Sequence, residues 1–399
     1  MLVLIITFLI IGLLLGIFTG LCPGVHINLV AMLLLSVIPL ATFIDPTYIV
    51  LIIIGMSITH TFLDFIPSVY LGAPNEDSAA TVLPAHRMLI DGQGHEAVKF
   101  SVLGAITGLI LTIISTTLII TLSTNYYDSL KSYIPLILVF SVFFLIIKEP
   151  GSKLNALLVT TISASLGLLV LNLPTLSNPL FPLLSGLFGI STLLISLNEN
   201  NSIPKQNITN KTKLNKELIW VTIPSFLVSI ISGFIPGISS SQSAIVSSSF
   251  LKKIETKSFI FMSGLIGTST MIISFIAIYS IGKARNGVIV VISKIMEGIT
   301  LNNIYLFLAC SLFIGGLSFI ISLTISKKFS YFISKINYKK ITISIIVFVT
   351  ILVSLLTGFV GLIVLIVSTA IGLLPQLLKV GKNHSMACLI IPVLLFLTL

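Results

Sequence analysis

From Leu2 to Thr19 the chain carries no charge. A run of that length is most of a membrane-spanning helix, which needs about 20 apolar residues. It does not end as a span should. Gly20-Leu-Cys-Pro23-Gly24-Val-His26-Ile-Asn28 interrupts it, and apolar sequence resumes at Leu29. Proline removes a backbone donor and clashes with the preceding turn, and glycine gives up helical order most easily. Inside a bilayer such a break survives only where the freed backbone faces protein or a water-filled cavity. The same break recurs at Gly233-Phe-Ile-Pro236-Gly237-Ile-Ser239-Ser240-Ser241-Gln242, 233 − 20 = 213 residues later, about half the length of a 399-residue chain.

The rest of the chain has the same character. Only 9% of residues are charged and 56% are hydrophobic, where a soluble domain carries about 25% charged residues. The expected class is an all-α polytopic membrane protein. Spans or half-spans are expected at 2–20, 24–42, 47–66, 98–122, 133–148, 153–172 and 180–197, then at 218–234, 236–250, 258–281, 300–325, 341–357, 359–377 and 384–399. That divides the chain into a first transmembrane repeat (1–197), a polar linker (198–217) and a second repeat (218–399). The N-terminus has neither a positive flank nor a small-residue cleavage site, so it is expected to be a retained segment. Trp220 opens a span just after the linker and reads as an interfacial anchor.

Charge sets the orientation. The net charge of +10 is not a nucleic-acid signal here, because the lysines cluster in short loops between apolar runs. Lys205, Lys211, Lys213 and Lys216 lie in the linker; Lys252, Lys253 and Lys257 follow the second break; Lys327, Lys328, Lys335, Lys339 and Lys340 fill a later loop. All fall on one side, expected to be the cytoplasm, if each broken pair is a hairpin that returns to its starting side. Each half then makes an odd number of crossings, and the halves are expected to be inverted repeats with broken or re-entrant hairpins, as in many secondary transporters. The 282–299 loop, with Lys283, Arg285 and Lys294, breaks the charge rule. Asn207-Ile-Thr209 has the form of a glycosylation acceptor but falls on the cytoplasmic side.

Two constellations carry chemistry. Proline favours the first turn of a helix, so Pro23 and Pro236 are expected to open half-helices. A helix N-terminus presents unpaired N–H groups and partial positive charge and binds anions without Lys or Arg. Gly20, Pro23, Gly24, His26 and Asn28 in the first break, and Pro236, Gly237, Ser239, Ser240, Ser241 and Gln242 in the second, are the expected substrate contacts. Kinking for helix packing is the plainer explanation of the same residues. The second constellation runs from Asp64 through Pro67, Tyr70 and Gly72 to Asn75-Glu76-Asp77-Ser78, and on to His86-Arg87 and His95-Glu96. Asp64, Asn75, Glu76 and Asp77 offer oxygens suited to a hard cation such as Na⁺, or carboxyls for H⁺ coupling. An ordinary loop with a capping cluster is the alternative, but Asp64 lies in an apolar run, where an ionisable residue is functional by default. The stretch before the acids reads as re-entrant, and His60 is the expected partner of Asp64. Cys22, Cys310 and Cys388 lie far apart and read as small buried hydrophobes. No nucleotide loop, nucleophile triad or metal-ligand spacing occurs, so neither a cofactor nor enzyme activity is expected. Gly186-Leu-Phe-Gly189 and Gly372-Leu-Leu-Pro375 interrupt late spans of the two halves.

The string Tyr70-Leu-Gly-Ala-Pro-Asn-Glu-Asp-Ser78, continued by Leu83-Pro-Ala-His-Arg87 and Gly92-Gln-Gly-His-Glu-Ala97, resembles the membrane permease of the tripartite tricarboxylate transporters, the TctA family, in its archaeal branch. The two Pro-Gly breaks, Gly186–Gly189 and Ile371-Gly-Leu-Leu-Pro-Gln376 fit as well, so the likeness covers nearly the whole chain. It implies an ion-coupled importer of carboxylates in the cell membrane, working with a small membrane subunit and an extracytoplasmic binding protein, with the Pro-Gly segments and acidic loop as substrate and ion sites. The Ser-rich tip Pro236-Gly-Ile-Ser-Ser-Ser-Gln242 also resembles that of the polyprenyl-phosphate translocases, which implies a lipid phosphate as substrate instead. Both substrates are anions, and a site of dipoles and hydroxyls accepts either.

Overall fold

In the computed structural model of the chain the apolar runs are α-helices, and the described residues contain no strand. The description covers residues 2–22, 25, 27–37, 45–71, 78, 81–176, 179–198, 204–208, 216–235, 239–251, 254–296, 298–333 and 338–398. In the first half the helices are α1 (Leu2–Leu21), α2 (Ile27–Val37), α3 (Pro46–Leu63), α4 (Phe65–Leu71), α5 (Val82–Ile90), α6 (Gly94–Ile114), α7 (Thr116–Leu130), α8 (Ile134–Lys148), α9 (Lys153–Leu171), α10 (Leu180–Leu184) and α11 (Ser191–Asn198). In the second they are α12 (Glu217–Phe234), α13 (Ser240–Ser249), α14 (Thr256–Ser280), α15 (Gly287–Ile295), α16 (Leu301–Ile333), α17 (Tyr338–Leu377) and α18 (Ala387–Thr398). Among the described residues eight helical stretches are long and apolar enough to cross a membrane. The protein is a multi-pass membrane protein.

Helices α2 and α13 are the exceptions that matter. Their 11 and 10 residues reach about 16 and 15 Å at 1.5 Å per residue, half of a hydrocarbon core about 30 Å thick. Over the described residues each has the length of a half-helix. Both begin four residues after the proline (27 − 23 and 240 − 236). The prolines therefore do not open them, contrary to the sequence expectation; in α13 the cap is Ser239.

Small residues set the packing. On α1, Gly12, Gly16 and Gly20 form a stripe against α3: an added Cβ would lie 2.3 Å from the Ile52 carbonyl oxygen at Gly12, 2.5 Å from Thr59 Cβ at Gly16, and 2.8 Å from Leu63 Cβ at Gly20. Such stripes let backbones approach closely where hydrophobicity cannot drive association. The same stripe recurs 213 residues on, as buried Ser225, Ser229 and Gly233 of α12, and Gly233 abuts Ile273 of α14. A second close crossing joins α6 to α14, where Gly104 faces the Phe261 carbonyl and Gly264 faces that of Ser101.

These contacts fix the helix directions. Helices α6 and α14 run parallel, since Ser101 meets Gly264 and Gly108 meets Leu265 and Ser269. Helices α3 and α16 also run parallel: Thr59 bonds Ser318, and Tyr70 bonds Ser326 and Ser330. Helices α6 and α16 run antiparallel, with His95 on Ser326 and Leu109 on Gly315. It follows that α3 opposes α14 and α6 opposes α16. The packing partners exchange accordingly: α1–α3 has its counterpart in α12–α14, α3–α16 in α14–α6, and α9–α18 in α17 with α10 and α11.

The helices gather into two bodies. One large apolar cluster is built from α1–α7 and α12–α16, and three smaller ones mainly from α8–α11, α17 and α18. Three features depart from the sequence reading. Short helices α5 and α15 lie in stretches expected to be loops. Helix α17 joins two expected spans through a kink at Gly358, whose φ of 65° suits glycine. The Gly186–Gly189 interruption is a π-helical turn, Ser185–Ile190, in which Gly186 lets α17 approach at Leu365 and Ser368.

Candidate functional site

The site is built where the two half-helices meet α3 and α14, the most deeply buried long helices. These helices touch at Thr61 and Thr268, whose hydroxyls lie 3.1 Å apart. Each hairpin is tied within a turn of that crossing. Buried Thr19, at the end of α1, bonds His60 Nδ1 at 3.1 Å. Ser240, at the start of α13, faces the hydroxyl of Thr270 at 3.4 Å. At 1.5 Å per residue, His60 and Thr270 lie about 2 and 3 Å from the crossing level. The end of α1 and the start of α13 therefore lie at one depth in the protein.

The tip of the second hairpin is the better-defined half. Ser239 caps α13: its hydroxyl accepts from the Gln242 amide at 3.3 Å, and the Gln242 carbonyl oxygen Oε1 accepts from the Ser239 amide at 3.2 Å. This reciprocal pair is a capping box. It also orients the side chain, because only Oε1 can accept from Ser239, so Nε2 must point the other way. That Nε2 is buried, in a residue 3% exposed, and no protein group accepts from it. Leaving a buried donor unmade costs about 1–3 kcal/mol, so an orphan here marks a place for an acceptor from outside the chain. Ser239, Ser240, Ser241 and Ser243, all buried, share this first turn.

The first hairpin departs further from expectation. Gly20 is a packing residue in the α1–α3 seam, and the Gly12-Gly16-Gly20 spacing was the signal for it. The Val288 amide donates to Asn28 Oδ1 at 3.0 Å, which caps the first turn of α15 from across the chain. That oxygen is therefore engaged in tertiary structure. His60, expected beside Asp64, uses Nδ1 on Thr19. Pro23, Gly24, His26, Pro236 and Gly237 lie outside the described residues.

Asp64 sits at the joint between α3 and α4 and is 7% exposed. Pro67 has no amide to give Leu63, which accounts for the turn there; the Ser68 hydroxyl bonds the Asp64 carbonyl at 3.2 Å instead. The stretch after Asp64 is thus helical to Leu71. Asn75, Glu76 and Asp77 lie outside the described residues, but the far end of their segment is anchored: the Ser78 hydroxyl is 2.6 Å from that of Ser68. Further along, the Tyr70 hydroxyl bonds Ser326 and Ser330, and His95 bonds Ser326. Linker residue Gln206 accepts from the Gly94 amide and donates to the Leu89 carbonyl. The described residues of the motif that carries the family resemblance therefore help tie α4, α6, α16 and the linker together.

Sequence reading missed one buried carboxylate–imidazole pair. Glu149, after α8, meets His384 Nε2 at 2.7 Å, with side chains 6% and 1% exposed. The Gly151 and Gly381 amides also donate to this carboxylate. Burial raises the Glu149 carboxyl, but the His384 bond and the two amides outweigh it and hold it below its ordinary value. Beside it, Lys382 donates to Ser191, Thr192 and the Phe188 carbonyl. These residues are 235 positions apart in sequence (384 − 149), and no local pattern joins them. Among the described residues no cluster of His, Cys, Asp and Glu has the makings of a metal site.

The family model described as "Tripartite tricarboxylate transporter TctA family" matches residues 6–387. An uncharacterized protein of Methanocaldococcus jannaschii is 28% identical over 402 residues, covering 98% of each chain. No solved structure matches.

Proposed function

We propose, on the premise that this chain belongs to the tripartite tricarboxylate transporter TctA family, that it is the ion-driven permease for a small organic anion, a carboxylate. The observation that carries this reading is the Gln242 Nε2 donor, buried without an acceptor among serine hydroxyls at the start of a half-helix. A carboxylate oxygen is the acceptor that such a place lacks. The helix N-terminus adds partial positive charge, and the end of α1, at Thr19, lies at the same depth. The opposite directions of α3 and α14, and of α6 and α16, support an inverted-repeat reading, in which the two tips approach from opposite membrane faces.

In the same reading Asp64 and the segment carrying Asn75, Glu76 and Asp77 bind the coupling ion, Na⁺ or H⁺. The Lys-rich loops and the linker face the cytoplasm of the cell. The family description, tripartite, supports a small membrane subunit and an extracytoplasmic binding protein as partners. The test is uptake into proteoliposomes of labelled citrate, with and without Na⁺ and pH gradients, run beside a polyprenyl phosphate. Gradient-dependent citrate uptake is expected. Lipid-phosphate translocation without citrate uptake would overturn the reading.

A further inference from the structure

The basic loop that broke the positive-inside rule has a position that explains it. After α14 ends at Ser280 the chain turns at Gly282, where φ is 65°, and then doubles back. Asn286 Nδ2 reaches Met271 Sδ at 3.9 Å. Met271 is nine residues before the end of α14, about 13 Å back along its axis. The loop therefore dips towards the level where Thr270 meets Ser240. On the way, Lys283 Nζ lies 5.5 Å from the centre of the Tyr127 ring, and Tyr127 packs on Phe234 at 6.4 Å between ring centres. Phe234 ends α12, two residues before Pro236. On its far side the loop reaches the other hairpin, where Asn28 caps Val288. Six residues, 283–288, thus run from Tyr127, which packs on the end of α12, to Asn28 at the start of α2. They carry Lys283, exposed, and Arg285, half-buried, and no described carboxylate lies within ion-pair distance of Lys283.

We propose that Lys283 and Arg285 form the outer anion-capture site of this protein, drawing a di- or tricarboxylate to the two hairpin tips. A cleft lined by one sign of charge raises the local concentration of the opposite ion and its on-rate by about 10- to 1,000-fold. A cation at membrane depth is expensive unless it serves such a path. The half-helices supply only partial charges, and the loop supplies the full ones. In the order of elements it occupies the place that the acidic 75–77 segment holds in the first half: each precedes a short helix, α15 or α5, and follows a deeply buried stretch, α14 or α3 with α4. Cation binding and anion capture then sit at corresponding positions of the two halves.

The proposal rests on the transport reading above, and the test separates the two. In citrate uptake, Lys283→Met with Arg285→Gln is expected to raise KM about 10-fold or more with kcat little changed. The increase should shrink from about 0.01 M to about 1 M salt, as the screening length falls from about 30 Å to about 3 Å. Methionine keeps the apolar stem, and Lys283→Arg, which keeps the charge, should restore the wild-type KM. A double variant with wild-type KM and salt dependence would overturn the capture site. A second measurement needs no substrate. With the three native cysteines replaced by alanine, Lys283→Cys should react about 10-fold faster with an anionic than with a cationic methanethiosulfonate reagent, relative to free cysteine. Arg285→Gln should erase that preference. Equal relative rates with Arg285 present overturn the site even if the wild type takes up no citrate, a result that would by itself defeat only the transport reading.

Discussion

Gln242→Glu separates the two jobs of one side chain. As the third residue of a capping box, glutamate serves as well as glutamine: one carboxylate oxygen still accepts from the Ser239 amide, and α13 keeps its start. The change falls on the other end, where the buried donor Nε2 becomes an oxygen. A hydrogen bond to a charged group is worth about 1.5–3 kcal/mol, so losing it alone should weaken anion binding about 10- to 150-fold at 1.4 kcal/mol per tenfold. Repulsion between two carboxylates adds to this at neutral pH. Citrate KM in proteoliposomes and the citrate-induced rise in melting temperature both read the effect. The unliganded melting temperature should stay near wild type, since the cap survives. Acidification should restore part of the affinity, because a protonated glutamate donates again. Wild-type citrate KM at neutral pH in a stably folded Gln242→Glu protein would refute the placement of the anion at this tip.

Gly104→Ala puts a Cβ 1.9 Å from the Phe261 carbonyl oxygen, so α6 and α14 must separate; a loss of about 1–3 kcal/mol should appear as a lower melting temperature in detergent. Glu149→Ala strips a buried pair of one partner, at a cost of about 3–5 kcal/mol, seen as faster proteolysis at the loops around Gly151 and Gly381. Because the Glu149 carboxyl is held low in the fold, the wild-type clasp is fully stabilising above the ordinary value of 4.5 and fades as pH falls through the lower folded value; thermal unfolding followed from pH 7 to about pH 3 should show this acid loss in wild type and less of it in Glu149→Ala. Asn28→Ala removes the tertiary cap of α15, worth about 0.5–2 kcal/mol, and should speed thiol labelling of an Ile289→Cys reporter.

The sequence by itself determined the class, nearly all the long helices, and the two half-helices. Apolar length and the loss of a backbone donor at proline are local properties, read wherever they occur. It also held the 213-residue spacing of the two Pro-Gly breaks, which the Gly12–Gly20 and Ser225–Gly233 stripes share. What it left undecided were the partners of polar side chains. Asn28 looks like a ligand donor in the string, yet its oxygen belongs to Val288, 260 residues away. Glu149 and His384 look like unrelated loop residues, yet they close one buried clasp. Lys283 and Arg285 look like a violation of a charge rule until the loop is seen to dip beside Met271. In a protein whose interior is this short of charge, each polar group must find a partner wherever the chain brings one. That search is settled by three-dimensional proximity, which neither periodicity nor composition records.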